Sequence, residues 1–187
     1  MNRKFLATVF AALALPAASL AQMGTMPMPA APPPPASTGP AREVLRSYSA
    51  IKPNLIKAAE KMPDADFRYA PTPDIRTFAR IVNHVTEAQS HTCTTLTGTA
   101  FDAKMVPSDT ADKATIVAAL KASFDLCDKA YGALTETNVT EMVASSPTAK
   151  RSRIGFAWGN VSHDNEQYAE LSTYLRLKGL VPPTAEK

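Results

Sequence analysis

The amino-acid sequence predicts an all-α fold, a four-helix bundle that follows a signal peptide and a proline-rich linker. Four segments between residues 42 and 183 place apolar residues at alternating spacings of three and four, the pattern of one buried helical face. No segment shows the two-residue alternation of a half-buried strand. Four amphipathic helices joined by loops of moderate length bury their apolar faces most simply against one another.

Residues 1–21 have the pattern of a cleavable signal peptide. Arg3 and Lys4 precede an apolar run that extends from Phe5 to Leu15. Ser19-Leu20-Ala21 is a small-x-small cleavage site, and the apolar run is too short to span a bilayer. We therefore expect cleavage after Ala21, a periplasmic or secreted protein, and no membrane span after cleavage.

Residues 22–41 predict a disordered linker rich in proline, methionine and alanine. This segment includes four consecutive prolines, Pro32 to Pro35, and has too little apolar surface to offset the entropy of ordering. The segment contains Met23, Met26 and Met28. Their thioether groups are soft ligands of the kind that binds Cu(I). Whether this segment binds copper stays open beside its simpler interpretation as a spacer.

The charge distribution excludes nucleic acid as a partner. The formal charge of +3 includes Arg3 and Lys4, which leave with the signal peptide, so the mature chain carries +1. No dense run of lysine and arginine is interleaved with aromatic residues, as a nucleic-acid surface requires.

The first two predicted helices follow the linker. The first carries an apolar face and contains Pro53, which we expect to kink or weaken it. The second follows Thr72-Pro73-Asp74, and Gly98 is its expected end. The predicted core faces are Val44, Tyr48, Ile51, Leu55, Ala58 and Met62 on the first helix, and Phe78, Val82, Val85, Gln89, Thr92 and Leu96 on the second.

The last two predicted helices complete the domain. The third opens after Ser108-Asp109-Thr110, and its face consists of Val117, Leu120, Phe124, Cys127, Tyr131 and Leu134. A polar stretch from Thr135 to Lys150 leads to a fourth helix, predicted from about Ala149 to Leu177 with a stop at Gly179. Its aromatic residues Trp158, Tyr168 and Tyr174 are expected in the core or along a cavity, and residues 184–187 form a tail.

Histidine is the residue type here that is best suited to bind a metal. His84 lies midway along the second helix and His163 midway along the fourth, so the two can meet across a helix pair. Asn160 and Gln167, one turn before and one turn after His163, are expected on its face. Two imidazoles are too few for a stable site, and the alternative is that each is an ordinary hydrogen-bonded histidine.

Two segments of the chain carry a resemblance to a known family. The first is His163-Asp164-Asn165-Glu166-Gln167-Tyr168 with the Leu171–Pro183 stretch after it, and the second is Arg76–Val85. They resemble the last and the second helix of the DinB-like proteins, a bacterial family with a four-helix bundle core that places a histidine in its second helix. The resemblance covers residues 42–183. It implies a divalent metal site of three histidines, one from the second helix and two from the fourth, and a reaction on a low-molecular-weight thiol.

This chain departs from that pattern at the third ligand. His84 and His163 match the first two ligand positions, while Gln167 stands at the third, and an amide oxygen is a poor ligand for Zn or Ni beside imidazole. Asn165, Glu166 and His91 are the candidates for compensation, although His91 lies two turns, roughly 10 Å, from His84. The expected cofactor is a divalent metal, Zn, Ni or Mn, weakly bound or absent.

Two cysteines, Cys93 and Cys127, fall on the core faces of the second and third helices. Both could be apolar core residues, but the predicted export favours a disulfide. A catalytic thiol pair is disfavoured because the sequence has no Cys-x-x-Cys arrangement. We expect a Cys93–Cys127 bond.

Two functions remain as alternatives. The first is a metal-dependent transferase or hydrolase that acts on a small molecule outside the cytoplasm, with His84, His163 and Gln167 at the metal. The second is a non-catalytic exported bundle that has lost the metal and binds a small-molecule ligand or a protein. A homodimer is compatible with either.

Overall fold

The computed structural model describes residues 39–186, so the predicted signal peptide and most of the predicted linker lie outside the described residues. The described chain contains α1 (Pro40–Lys61), α2 (Phe78–Thr97), α3 (Lys113–Gly132) and α4 (Arg153–Leu177). The all-α prediction is confirmed. None of these helices is long and apolar enough to cross a membrane, a finding limited to residues 39–186.

The helix ends follow from local hydrogen bonding. The side chains of Thr77, Asp112 and Ser152 each accept a hydrogen bond from the backbone N–H three residues later, which caps α2, α3 and α4. Gly98 and Gly179 end α2 and α4 with φ angles of 72° and 74°, a region that glycine enters without steric cost. α1 begins at Pro40, where a missing N–H costs nothing.

The predicted apolar faces form the core. In the described domain α4 packs between α1 and α2, and α3 packs against α1 and α2. Tyr48 of α1 stacks on Tyr131 of α3 with ring centroids 4.1 Å apart. α1 runs unbroken through Pro53. Every residue of the predicted faces is buried except Thr92, which is half-buried.

The connection between α3 and α4 differs from the prediction. It forms an antiparallel hairpin, β1 (Met142–Ser146) paired with β2 (Ala149–Ser152), so α4 begins at Arg153 rather than near Ala149. The hairpin side chains are mostly exposed. Because neither face is buried, the sequence carries no hydrophobic alternation that could reveal the strands.

The three aromatic residues of α4 divide between the two predicted places. Trp158 is 40% exposed and lines a groove of about 330 Å³ between α1 and α4, so it takes the cavity rather than the core. Tyr168 and Tyr174 are buried in the core.

A disulfide joins α2 to α3, which confirms the predicted pairing. Cys93 and Cys127 are both fully buried, and their Cα atoms are 5.1 Å apart, within the usual range for a disulfide. The bond closes a loop with a sequence separation of 34 residues. It fixes the spacing of the two helices near their C-terminal ends.

Candidate functional site

His84 of α2 and His163 of α4 meet where these two helices pack. Their Nε2 atoms are 3.1 Å apart, and the two rings are nearly perpendicular, at 76°. One Nε2–H must donate to the other Nε2, because two lone pairs at this distance would repel each other. The pair therefore shares one proton on its facing nitrogens when both rings are neutral.

The two imidazoles have different surroundings. Nδ1 of His84 lies 3.8 Å from a carboxylate oxygen of Glu87 on the same helix. Nδ1 of His163 is buried and has no hydrogen-bond partner within the described part of the chain. Burial lowers the pKa of His163, and the neighbouring His84 and Arg76 lower it further, against an opposing effect of Glu166. His163 is thus neutral at neutral pH, the form in which imidazole binds metals.

Gln167 is the residue predicted at the third ligand position, and its amide oxygen already accepts a hydrogen bond. The side chain is buried, and Oε1 accepts a hydrogen bond from Nη2 of Arg76 at 3.3 Å. The same Nη2 donates to a carboxylate oxygen of Glu170 at 2.8 Å. A guanidinium group therefore lies beside the position at which a third ligand would be needed.

Tyr174 belongs to this arrangement. Its hydroxyl donates to the backbone oxygen of Arg76 at 2.5 Å, and its ring is buried. Because Arg76 precedes α2, this bond ties the entry of α2 to the end of α4. Tyr174 thereby helps to hold Arg76 near Gln167.

The other predicted neighbours lie elsewhere. His91 is exposed and stacks on Phe101, with ring centroids 3.7 Å apart. Asn165 donates to the backbone oxygen of Val161 at 2.7 Å and lines the groove beside α1. Glu166 is exposed and acts on His163 only through its charge. Within residues 39–186 none of these residues forms a three-residue cluster with His84 and His163 that could hold a metal.

The distance between the two Nε2 atoms can be compared with the distance that a shared zinc ion would require. Two Zn–N bonds of about 2.0–2.1 Å span 3.1 Å when they meet at about 95–100°. That geometry suits a shared ion, but a protein zinc site uses at least three protein ligands. Within residues 39–186 no three side chains of histidine, cysteine, aspartate or glutamate cluster in a way that could hold a metal. The described residues therefore do not fit a three-ligand centre.

A buried polar network crosses the core behind this site, and sequence reasoning missed it. Gln89 of α2 donates from Nε2 to Asp164 at 2.8 Å and accepts from Nδ2 of Asn160 at 2.8 Å. Asn160 also reaches the hydroxyl of Tyr131 at 3.3 Å. Asn160 thus faces the core network and not the histidine pair, contrary to the expectation. Sγ of Cys127 lies 2.8 Å from Oε1 of Gln89, a contact without a hydrogen because this sulfur is in the disulfide.

Asp164 is the titratable group of the network. Burial raises its pKa well above the ordinary value, and the hydrogen bond from Gln89 only partly opposes this. One carboxyl oxygen, Oδ1, has no hydrogen-bond partner in the part of the chain that the structure describes. The sequence offers one signal for the burial of Asp164. It directly follows His163 on α4, so it lies on an adjacent face of the same helix.

Replacing Asp164 by Asn should flatten the pH dependence of stability. A carboxyl group whose pKa is raised by folding does not change the free energy of unfolding at a pH below its unfolded-state pKa of about 4. Above that pH it lowers the free energy of unfolding, by up to about 1.4 kcal/mol per pH unit, until the pH reaches its folded-state pKa. The stability of Asp164→Asn relative to the wild type should therefore rise between pH 4 and pH 8 in urea denaturation. Asp125→Asn, at an exposed position of α3, controls for the lost charge. If the difference in unfolding free energy between Asp164→Asn and the wild type were the same at pH 4 and at pH 8, the prediction would be wrong.

Comparison with known proteins supplies the family relation. Residues 47–171 match the DinB superfamily. A DinB-like protein from Bacillus cereus ATCC 10987 has a similar structure, with a TM-score of 0.62 and 16% identity over 76% of this chain and 95% of that chain. A conserved protein from Enterococcus faecalis has a TM-score of 0.61 and 12% identity over 75% of this chain and 98% of that chain. No curated protein matches the sequence.

Proposed function

The chain belongs to the DinB superfamily, and from that premise we propose that it is an exported ligand-binding member with a degenerate metal centre. Its histidine pair holds a divalent ion only weakly and does not support metal-assisted catalysis. The observation that carries this proposal is the hydrogen bond from Arg76 to Gln167. Export rests on the signal-peptide pattern of residues 1–21.

The number of ligands is the first argument for weak binding. His84 and His163 offer two imidazole nitrogens. To bind the ion, Gln167 would have to give up its hydrogen bond with Arg76. The amide oxygen would add little affinity for the ion, because it is a much weaker ligand for Zn or Ni than imidazole is. Water would complete the coordination, which leaves most of the affinity to two side chains.

The charge of Arg76 is the second argument. Nη2 of Arg76 is 3.3 Å from Oε1 of Gln167, so an ion bound to that oxygen at about 2.1 Å would be within about 5.4 Å of the guanidinium. A divalent ion and a guanidinium at that separation repel by roughly 6 kcal/mol at an effective dielectric constant of 20. Glu170 offsets part of this repulsion because it pairs with the same nitrogen.

A second candidate function is a metal-dependent transferase or hydrolase that acts on a small molecule such as a thiol. The 3.1 Å distance between the Nε2 atoms favours it, because that spacing is compatible with a shared ion. The lowered pKa of His163 favours it as well, because it keeps the ring neutral. In that case His84 and His163 would bind the ion, and the ion would supply Lewis acidity.

Metal content separates the two candidates. The protein, purified without an affinity tag, should contain far less than one equivalent of Zn, Ni or Mn by elemental mass spectrometry. His163→Ala, which keeps Arg76 and Gln167 but removes one imidazole, provides the baseline for adventitious metal. Occupancy near one equivalent in the wild type, lost in His163→Ala, would overturn the proposal in favour of the metal-dependent enzyme.

A further inference from the structure

A small pocket lies between α2 and α3. It has a volume of about 90 Å³ and is roofed by Met105, which belongs to the segment that connects the two helices. Its walls are short or apolar side chains, and none of them carries a charge. The lining residues are Ser90, Met105, Ala119, Ala122, Ser123 and Leu126.

Two hydroxyl groups line this pocket, and they differ in their hydrogen bonds. That of Ser123 donates to the backbone oxygen of Leu120 at 2.7 Å, whereas that of Ser90 differs also from its neighbours on α2. Thr86 and Thr94, one turn before and one turn after it, each donate to the backbone oxygen four residues earlier, at 3.1 and 2.7 Å. Ser90 is only 1% exposed, yet its hydroxyl has no hydrogen-bond partner among residues 39–186. Because a buried hydroxyl without a partner is unfavourable, a ligand atom that bonds to it gains more than it would at an exposed serine.

The pocket is held open by the residues around it. Ala119, Ala122 and Ser123 are too small to fill the space opposite Ser90. The disulfide lies one helical turn beyond the pocket on both helices. Cys93 comes one turn after Ser90 on α2, and Cys127 comes one turn after Ser123 on α3. Because this covalent bond is so close to the pocket, it holds the distance between α2 and α3 and keeps the pocket from closing. A preformed cavity binds a ligand with little loss of conformational entropy.

The roof offers a way in. Met105 is 41% exposed, and Ala122 at the rim is exposed as well. A methionine side chain is unbranched and adapts its shape readily. A molecule can therefore enter by displacement of the Met105 side chain, without opening of the bundle.

We propose that this pocket is a binding site for a small uncharged molecule with an apolar body and one hydroxyl or carbonyl group. A volume of about 90 Å³ equals about three waters at about 30 Å³ each, and it is smaller than a cavity of about 150 Å³ that takes benzene. Ligands of about three to five heavy atoms therefore fit. The polar atom bonds to Ser90, and the apolar part packs on Leu126 and Met105. This site is independent of the histidine pair.

The test uses 1-propanol and xenon as probes, with the Met105 methyl signal as the readout in a nuclear magnetic resonance titration of the full chain. Both probes should shift that signal in a saturable manner. Ser90→Ala should weaken propanol binding about 3- to 10-fold, the range for one neutral hydrogen bond, and leave xenon binding unchanged within about 2-fold. Ala122→Leu, at an exposed position of α3, should fill the rim and abolish both responses.

Three results would overturn the proposal. The first is the absence of a saturable shift with either probe in the wild type. The second is equal propanol affinity in the wild type and Ser90→Ala, since the hydroxyl would then have no role. The third is an unchanged response in Ala122→Leu, which would place the probes elsewhere. Circular dichroism of each variant confirms that it is folded.

Discussion

Replacing Gln167 by His together with Arg76 by Gln should raise the affinity for Zn²⁺ or Ni²⁺ by about 100-fold or more, equivalent to about 2.7 kcal/mol. The first change adds an imidazole one turn after His163, on the face of α4 that already reaches Arg76. The second removes the guanidinium that repels a cation at this position. Calorimetric titration of the wild type and the double variant at pH 7.5 measures the difference.

The single variants apportion this gain. Gln167→His alone strengthens binding less than the double variant, because the new imidazole still lies beside Arg76. Arg76→Gln alone keeps the amide ligand and so reports the effect of the charge. Four equal affinities would mean that the site is not organised around His84, His163 and residue 167.

Removal of the disulfide should have the largest effect on stability. A Cys93→Ala, Cys127→Ala double variant should lose about 3–4 kcal/mol of unfolding free energy, the chain-entropy value for a loop of 34 residues. For a domain of this size the melting temperature should fall by roughly 10 °C. Denaturant titration under non-reducing conditions, with the m-value checked for constancy, measures the loss.

Reduction supplies the control for this prediction. Both sulfur atoms are fully buried, so a reductant should cleave the bond in the unfolded wild type much faster than in the folded protein. Wild type that has been unfolded, reduced and refolded should match the double variant within about 1 kcal/mol. A double variant as stable as the oxidised wild type would show that the bond does not stabilise the fold.

The helices could be predicted because their signals are local. The apolar spacing of three and four residues marks each buried face, as in the run from Val44 to Met62 on α1. Capping residues and glycines mark the ends, as Gly98 does for α2. The disulfide could be predicted because the two cysteines fall on core faces of two helices and because the predicted export favours a bond between them.

The parts that escaped prediction depend on contacts distant in sequence. The β1–β2 hairpin has no buried face, so it leaves no periodic pattern. Arg76 precedes α2, and its bond to Gln167 spans 91 residues. Asp164 and Gln89 pair across two helices, and each alone looks like an ordinary polar residue. The spacing along one helix says nothing about which side chain of another helix faces it.

A zinc titration monitored by the imidazole ¹⁵N signals of His84 and His163 tests the central claim most directly, because it observes both proposed ligands individually. At pH 7.5 both Nε2 signals should shift together, with a midpoint well above the protein concentration and with rapid exchange between free and bound forms. Saturation of both signals at one equivalent of Zn²⁺, in slow exchange at micromolar protein, would contradict the claim that Arg76 and Gln167 leave this site with two ligands.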